Sequence, residues 1–280
     1  MTILKYDLVI LGASIPAVVA AIRAKRSGSN VLIVNSYGFP GGPITESLCC
    51  RLDKPAMYTD ITVTREIYDL IAGADRAILY ENQTYIVLNP EVVKYQLQEK
   101  LLAEDIELLW HVSPWQAKTD DNRLVELSML AKEGTIRIQA DAWIDAGVRP
   151  SMLYKLGIGL GLYRDLYYCL FYVGDGHTQS EIADVNQVKL SSRRYWFYIH
   201  RRIGTNEEPV SIGQNIIDHL TSQLKGRIEL VPAEPLIVLS VKSPYDIKIS
   251  NVTALITGDR SIPVFGGDFL FAAEFERGTL

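Results

Sequence analysis

The sequence predicts an α/β fold in which a parallel sheet with a β-meander is combined with an inserted, smaller α+β domain. Three observations indicate this. An apolar strand, a glycine turn and an alanine-rich helix follow one another within the first 26 residues, turn residues punctuate a set of strands between 106 and 140, and aromatic-rich strands appear after 151. With 280 residues, of which 48% are apolar, the chain can form one large domain or two small ones.

The first 35 residues predict one βαβ unit. Residues 6–11 are a short apolar run, residues 16–26 have helical spacing, and residues 31–34 are a second buried strand. Gly28 is in the usual position for ending the helix, and the crossover makes the two strands parallel. The Gly- and Pro-rich segment 38–43 is then a loop.

The later elements continue this pattern and divide the chain into two regions. In chain order the sequence predicts a helix at 61–72, a strand at 84–88, a helix at 90–104, meander strands at 106–110, 115–119, 124–131 and 135–140, a parallel strand at 142–146, strands at 167–173 and 195–200, a helix at 212–224, a strand at 254–257 and a helix at 269–277. Residues 1–45, 90–150 and 251–280 are assigned to the first domain, and residues 46–89 and 151–250 to the inserted region.

Composition excludes several classes of function. The net charge is -5 and no Lys/Arg run stands out, so we expect no nucleic-acid partner. No apolar stretch reaches membrane-spanning length and the start lacks the features of a signal peptide, so we expect a cytoplasmic protein without membrane contact. A homo- or hetero-oligomer is compatible with the sequence.

Cysteine and histidine residues indicate no metal site. Cys49, Cys50 and Cys169 are too few for a disulfide framework and lack zinc spacing, so we interpret them as buried, small apolar residues. A redox dithiol at Cys49–Cys50 is the alternative. Catalytic side chains cannot be identified, because the four histidines are scattered along the chain.

The turn after the first strand has the form of a phosphate-binding turn, because backbone N–H groups and the positive end of the next helix can face a pyrophosphate there. The G-x-G-x-x-G fingerprint of such turns is present here as Gly12, Ala13, Ser14, Ile15, Pro16 and Ala17. Only its first glycine is kept, although Ala17 is an accepted variant of the third. Ser14 places a side chain where the phosphate approaches, unless its hydroxyl donates a hydrogen bond. A βαβ turn without any ligand is the alternative.

The end of the second strand is the second candidate binding position. An acidic residue there normally accepts hydrogen bonds from a ribose, and this chain has Asn35. The amide can still bond a hydroxyl, but the missing charge weakens the contact by about 1 kcal/mol. A surface asparagine that merely ends a strand is the alternative.

Together these segments resemble a known family. YDLVILGASIPAVVAAIRAKRSGSNVLIVN, GFPGG, VVKYQLQEKLLAEDIELLW through RIQADAWIDAG, and NVTALITGDRSI are similar in order and spacing to the FAD-dependent oxidoreductases of the glutathione-reductase-type flavoprotein fold. The resemblance implies a Rossmann-like FAD-binding domain assembled from both ends of the chain, with a substrate domain inserted between them. It also implies FAD as the cofactor.

The resemblance assigns cofactor contacts to five segments. The helix after Gly12 would hold the pyrophosphate, and the end of the second strand the adenosine ribose. Two glycine-containing loops would lie along the cofactor, and a late Gly-Asp pair would bind its ribityl or pyrophosphate end. The residues implied are Gly12, Ser14, Ile15, Pro16, Ala17, Asn35, Ser36, Gly41, Gly42, Ala146, Gly147, Arg149, Gly258 and Asp259.

The chain departs from the family after residue 145. The family usually has Ala-Thr-Gly followed by acidic residues, whereas this chain has Ala146, Gly147, Val148, Arg149 and Pro150. Arg149 would pair with the pyrophosphate if FAD is bound, or occupy part of the empty site with Asp259 as its partner if FAD is absent. An exposed turn is the third alternative.

The predicted function is an FAD-dependent oxidoreductase that transfers a hydride to or from a small organic substrate. The alternative is a non-catalytic relative, a scaffold or regulatory subunit, that has lost productive FAD binding.

Overall fold

A computed structural model describes residues 3–54, 61–147, 163–175, 185–203, 208–240 and 250–254, together with Ala272 and Glu276. The helices are α1 Ile15–Arg26, α2 Pro43–Glu46, α3 Thr62–Ala72, α4 Pro90–Ala103 and α5 Pro209–Gln223. The strands are β1 Ile3–Leu11, β2 Val31–Asn35, β3 Arg51–Asp53, β4 Ile78–Glu81, β5 Tyr85–Leu88, β6 Glu107–Trp110, β7 Ser113–Asp120, β8 Arg123–Ala131, β9 Gly134–Asp145, β10 Tyr163–Asp175, β11 Val185–Lys189, β12 Arg194–Ile203, β13 Lys225–Leu230, β14 Leu236–Ser240 and β15 Val252–Ala254.

A seven-stranded sheet contains the predicted βαβ unit. Its strand order is β6-β2-β1-β9-β8-β7, with β15 beside β9. The pairs β2–β6, β1–β2, β1–β9 and β9–β15 are parallel, and β7–β8 and β8–β9 are antiparallel. The predicted α/β class, with a parallel sheet that continues into a meander, is therefore confirmed.

Two strand predictions in this sheet were wrong. Strand β6 was assigned to the meander but pairs in parallel with β2, because helix α4 forms a crossover that returns the chain to the β2 edge. The strands predicted at 135–140 and 142–146 are one strand, β9, because no residue that breaks a strand separates them. Strand β9 pairs with β1 on one side and β8 on the other, and so joins the parallel half to the meander.

Alternation along the central strands buries both faces of the sheet. Ile10 and Ile33 face the core under α1, α3 and α4, whereas Val9, Leu11 and Leu32 face the core under the meander. Near-continuous apolar runs of this kind are typical of parallel strands covered on both sides.

The second sheet has five antiparallel strands, in the order β11-β12-β10-β13, with β14 beside β10. Phe171 and Trp196 on one face belong to the core of the first sheet, and Tyr172 and Phe197 on the other face pack in the core that includes Leu220 of α5. The predicted strands at 167–173 and 195–200 and the helix at 212–224 are confirmed, each with longer bounds.

A three-stranded sheet, in the order β3-β5-β4, lies between α2 and α4 in the chain. The sequence predicted only β5, because β3 and β4 are short and contain charged residues. The predicted loop at 38–43 ends one residue early, since Pro43 begins α2.

The C-terminal segment contacts helix α3. The carboxylate of Glu276 accepts hydrogen bonds from the backbone N–H groups of Val63 and Thr64, both at 2.9 Å, and so caps the start of that helix. Most of the helix predicted at 269–277 and residues 255–257 of the predicted last strand lie outside the described residues. No helix within the described ranges is both long and apolar enough to span a membrane. The division of the chain into two domains stays a prediction.

Candidate cofactor site

The turn between β1 and α1 lies where three parallel strands end. The backbone N–H of Gly12 donates to the Val34 carbonyl at 2.8 Å, and that of Ala146 donates to the Leu11 carbonyl at 2.7 Å. The carboxyl ends of β1, β2 and β9 are thereby held together at one edge of the sheet. In open α/β sheets, ligands bind outside this edge, at the point where the strand order reverses.

Gly12 must be a glycine because the chain itself approaches it closely. Its φ is +89°, and a Cβ on this residue would lie 2.4 Å from the Cα and N atoms of Gly147. Within the described residues, the loop after β9 therefore occupies the space beside Gly12. The turn packs directly against this loop. A glycine is therefore required at this position whether or not a cofactor is bound.

Ser14 lies beneath the Gly41–Gly42 segment. The Gly41 N–H donates to the Ala13 carbonyl at 2.7 Å, and a Cβ on Gly42 would lie 2.7 Å from the Cβ of Ser14. Ser14 is 4% exposed, and its buried hydroxyl has no hydrogen-bond partner among the described residues. The Ser14 side chain does not cap α1, so it accepts no hydrogen bond from the first-turn N–H groups of that helix. Those N–H groups can therefore donate to a bound ligand.

A cavity of about 250 Å³ opens beside this turn, at the carboxyl ends of β1 and β2. Four of the predicted site residues line it, namely Gly12, Asn35, Ser36 and Gly147. The cavity is further lined by Leu11, Val34, Tyr37, Glu46, Val112, Pro114 and Glu234.

The other predicted site residues surround the cavity or lie outside the described ranges. Those placed in the adjoining turn, helix and loops are Ser14, Ile15, Pro16, Ala17, Gly41, Gly42 and Ala146. Arg149, Gly258 and Asp259 fall outside the described residues, so the predicted late Gly-Asp contact and the three alternatives for Arg149 stay predictions.

Asn35 is held in place by a buried carboxylate that the sequence analysis missed. Its Nδ2 donates to the Phe39 carbonyl at 2.9 Å and to Glu46 Oε1 at 3.0 Å. Asn35 and Glu46 are 5% and 3% exposed, yet both line the cavity. The chain thus has an acid beside the end of β2, although the residue at the strand end is an amide.

The sequence offered one weak signal for Glu46. Helix α2 begins with Pro43 at its first position and has Glu46 in its first turn, a combination typical of helix starts. Nothing local indicates that this short helix folds back onto β2, because that contact depends on the Gly41–Gly42 segment bonding to the Ala13 carbonyl.

The residues at the cavity fit the nucleotide half of a dinucleotide. Glu46 can accept hydrogen bonds from sugar hydroxyls, and the Ser36 hydroxyl, which is 2.9 Å from that of Ser113, can both donate and accept. The N-terminus of α1 offers N–H groups and the positive end of the helix dipole to a pyrophosphate. A cavity of this size is smaller than a whole dinucleotide site, so it corresponds to the part nearest the turn.

A parallel sheet with a glycine turn, a following helix and a cavity at the carboxyl strand ends defines a dinucleotide-binding flavoprotein fold of the Rossmann-like type. Residues 7–159, more than half of the chain, match the family described as FAD dependent oxidoreductase. The chain belongs to this family, and the cofactor of the family is FAD.

Comparison with individual proteins agrees with this assignment. A thioredoxin reductase from Ureaplasma parvum serovar 3 is 34% identical over 100 residues, which cover 35% of this chain and 31% of that protein. A geranylgeranyl bacteriochlorophyll reductase-like protein from Thermoplasma acidophilum has a TM-score of 0.68 at 12% identity, covering 99% of this chain and 78% of that one. OxyS anhydrotetracycline hydroxylase from Streptomyces rimosus has a TM-score of 0.63 at 12% identity, covering 90% of this chain and 56% of that one.

At 12% identity, the similarity to these two solved structures shows the fold alone. The chain matches about a third of the length of the thioredoxin reductase and about half of the hydroxylase.

Proposed function

We propose that this chain is an FAD-dependent oxidoreductase that transfers a hydride between FAD and a small organic substrate. The observation that carries the proposal is the cavity at the carboxyl ends of β1 and β2, with the Gly12 turn at one side and the Asn35–Glu46 pair at the other. Family membership supports the same cofactor.

The residues at the cavity would contact two parts of the cofactor, the pyrophosphate and the ribose. The Gly12 turn and the N-terminus of α1 would hold the pyrophosphate, and Asn35, Ser36 and Glu46 would hold the ribose hydroxyls. When bound, FAD supplies the isoalloxazine ring that accepts or donates the hydride.

Glu46 is the residue that we expect to restore the charged contact with the ribose. Asn35 donates to Glu46 Oε1, which orients the carboxylate, and each carboxylate oxygen can accept more than one hydrogen bond, including one from a sugar hydroxyl. Asn35 is then a positioning residue. This arrangement explains how the chain can lack an acid at the strand end and still bind a dinucleotide.

The five-stranded sheet supports the expectation that the substrate binds next to the inserted region. Trp196 Nε1 of β12 donates to the Leu48 carbonyl at 3.0 Å, and the N–H of Ala233, just before β14, donates to the Glu46 carbonyl at 2.8 Å. Both contacts are made with the segment that follows Gly41–Gly42. The inserted sheet therefore adjoins the loop that the family resemblance places along the cofactor.

The first experiment measures flavin binding. The purified protein is scanned for flavin absorbance and, after removal of any bound flavin, titrated with FAD, with the quenching of flavin fluorescence as the readout. We expect Glu46→Gln to weaken FAD binding by about tenfold or more, since a hydrogen bond to a charged group contributes about 1.5–3 kcal/mol. Glu91→Gln is the matched control, because Glu91 lies on the exposed surface of α4 and pairs with Lys94.

The outcomes separate the proposal from its alternative. Equal affinity of wild type and Glu46→Gln would remove Glu46 from the site while leaving the cofactor assignment intact. Failure of the wild type to bind FAD at any concentration tested would favour the non-catalytic scaffold or regulatory subunit. Reduction of the bound flavin is then followed anaerobically with NADH and NADPH in separate reactions, and bleaching of the flavin band by either supports hydride transfer.

A further inference from the structure

Two cysteines that are distant in the sequence meet in the core. The sulfur atoms of Cys49 and Cys169 are 3.6 Å apart, although the residues are 120 positions apart in the chain. Cys49 is 2% exposed and lies in the loop after α2, and Cys169 is 0% exposed and lies in β10. Both are free thiols. The contact therefore joins the loop that follows the candidate cofactor site to the central strand of the five-stranded sheet.

We propose that Cys49 and Cys169 are a redox-active thiol pair that a peroxide oxidises to a reversible disulfide. A disulfide has a sulfur–sulfur distance of about 2.05 Å, so the two sulfurs must approach from 3.6 Å, which a change of side-chain torsion and a small shift of the loop can provide. This site is independent of the flavin chemistry proposed above.

Cys50 is the competing partner, and the geometry disfavours it. Its sulfur lies 3.4 Å from the Ile44 carbonyl, whereas the sulfur of its neighbour Cys49 contacts Cys169. A bond between adjacent cysteines also strains the backbone. The contact in the core thus selects a pair that spacing in the sequence does not suggest.

The reaction balances with one peroxide molecule for each disulfide. The first cysteine attacks as the thiolate, the O–O bond of hydrogen peroxide breaks, and a sulfenic acid and water form. The sulfur of the second cysteine then displaces the hydroxyl group, which leaves as water after taking the proton of that thiol. In total, two thiols and one hydrogen peroxide give one disulfide and two waters.

Burial sets the conditions under which the pair reacts. Desolvation and the contact with Cys49 raise the pKa of the Cys169 thiol well above its ordinary value. The thiolate is the reactive form, so oxidation that begins at Cys169 accelerates as the pH rises. Bulky disulfides such as oxidised glutathione are excluded from the core, whereas hydrogen peroxide is small enough to enter when the structure opens locally.

The disulfide would connect two functional parts of the chain. Cys49 follows Glu46 by three residues, so the bond would hold the Glu46 segment against β10. It would also close a loop of more than a hundred residues, for which we expect a rise in melting temperature of several degrees.

The test uses the folded wild-type protein and hydrogen peroxide. After reaction at about pH 8.5, where thiolates form more readily, the protein is unfolded, its remaining thiols are alkylated, and its peptides are mapped by mass spectrometry. We expect a dithiothreitol-sensitive link between the Cys49 and Cys169 peptides, with Cys50 alkylated. The melting temperature should rise with oxidation and return on reduction.

Two variants test which cysteines react, and two results would overturn the proposal. Cys50→Ala should form the same link at the same rate, whereas Cys49→Ala should form none. A link between Cys49 and Cys50 in the wild type, or full alkylation of all three cysteines after prolonged treatment, overturns the proposal. The wild-type map decides it even if a variant does not fold.

Discussion

In both large sheets of this protein the side chains alternate between the two faces, but the two sheets contribute differently to the candidate site. In the seven-stranded sheet the parallel strands β1, β2 and β9 all finish at one edge, and the polar groups that follow them gather around one cavity. In the five-stranded sheet, antiparallel neighbours finish at opposite edges, so no edge collects the strand ends. Its contribution comes from its two faces, which carry Phe171 and Trp196 on one side and Tyr172 and Phe197 on the other.

Substitutions at the parallel edge should affect both flavin binding and stability, whereas substitutions on the antiparallel faces should affect stability alone. At the parallel edge, short contacts between backbone segments shape a cavity, and a single added carbon has no space. On the antiparallel faces, large side chains fill volume, and their loss should weaken folding without altering the cavity. Three substitutions, ordered by the expected size of their effect, test this distinction.

Gly12→Val should have the largest effect. The new Cβ would fall 2.4 Å from backbone atoms of Gly147 in a residue with a φ of +89°, so both strain and steric overlap oppose folding. We expect a loss of about 4 kcal/mol or more in the free energy of unfolding, measured by urea denaturation, together with loss of FAD retention.

Gly28→Ala is the control for Gly12→Val. Gly28 has a φ of +93°, but nothing lies within 4 Å of the position of its Cβ. This variant should therefore lose only about 1 kcal/mol, from backbone strain, and keep its flavin. Similar losses in the two variants would show that the contact with Gly147 is not what constrains the turn.

Trp196→Phe should have the next largest effect and should act on stability alone. The indole is fully buried and its Nε1–H donates to the Leu48 carbonyl, so the substitution leaves a void and removes one of the two hydrogen bonds to that carbonyl, which keeps the one from the Cys50 N–H. We expect a loss of about 2–3 kcal/mol on denaturation and no change in the FAD dissociation constant. Trp115→Phe, at a side chain that is 49% exposed, should change neither quantity. Weakened flavin binding in Trp196→Phe would mean that the inserted sheet shapes the cofactor site.

Asn35→Asp should have the smallest effect on stability, and its effect should depend on pH. The family has an acid at this position, so the resemblance alone predicts tighter FAD binding. The structure predicts the opposite, because the new carboxylate would stand about 3 Å from that of Glu46, and two buried carboxylates at that distance cannot both ionise without a penalty. We expect a loss of about 2 kcal/mol at neutral pH and weaker FAD binding.

The pH series identifies the cause. As the pH falls, one carboxyl of the pair takes up a proton and can donate to the other, so the gap in stability between Asn35→Asp and wild type should narrow. Asn89→Asp is the control, because aspartate caps a helix equally well and the substitution loses only one long hydrogen bond, 3.3 Å, from Asn89 Nδ2 to the Arg76 carbonyl. A variant that binds FAD more tightly and is stable at neutral pH would contradict the proposed role of Glu46.

Much of the candidate site could be predicted because its signals are local. A strand, a glycine and a helix in succession specify the turn at Gly12, and the strand end at Asn35 follows from the apolar run before it. The same local signals located α3, α4 and α5 to within a few residues. They gave no information about Glu46, whose place beside Asn35 depends on how α2 packs.

The sequence by itself determined the βαβ unit, the longer helices, the turn at Gly12 and the resemblance to the family, because hydrophobic periodicity and turn chemistry act over a few residues and leave a readable pattern. Only the tertiary structure decided that β6 joins the parallel sheet, that the Glu46 carboxylate lies beside Asn35, and that Cys49 meets Cys169. Each of these depends on contacts between separate structural elements. Such contacts are selected by the packing of whole elements, so no short segment records them.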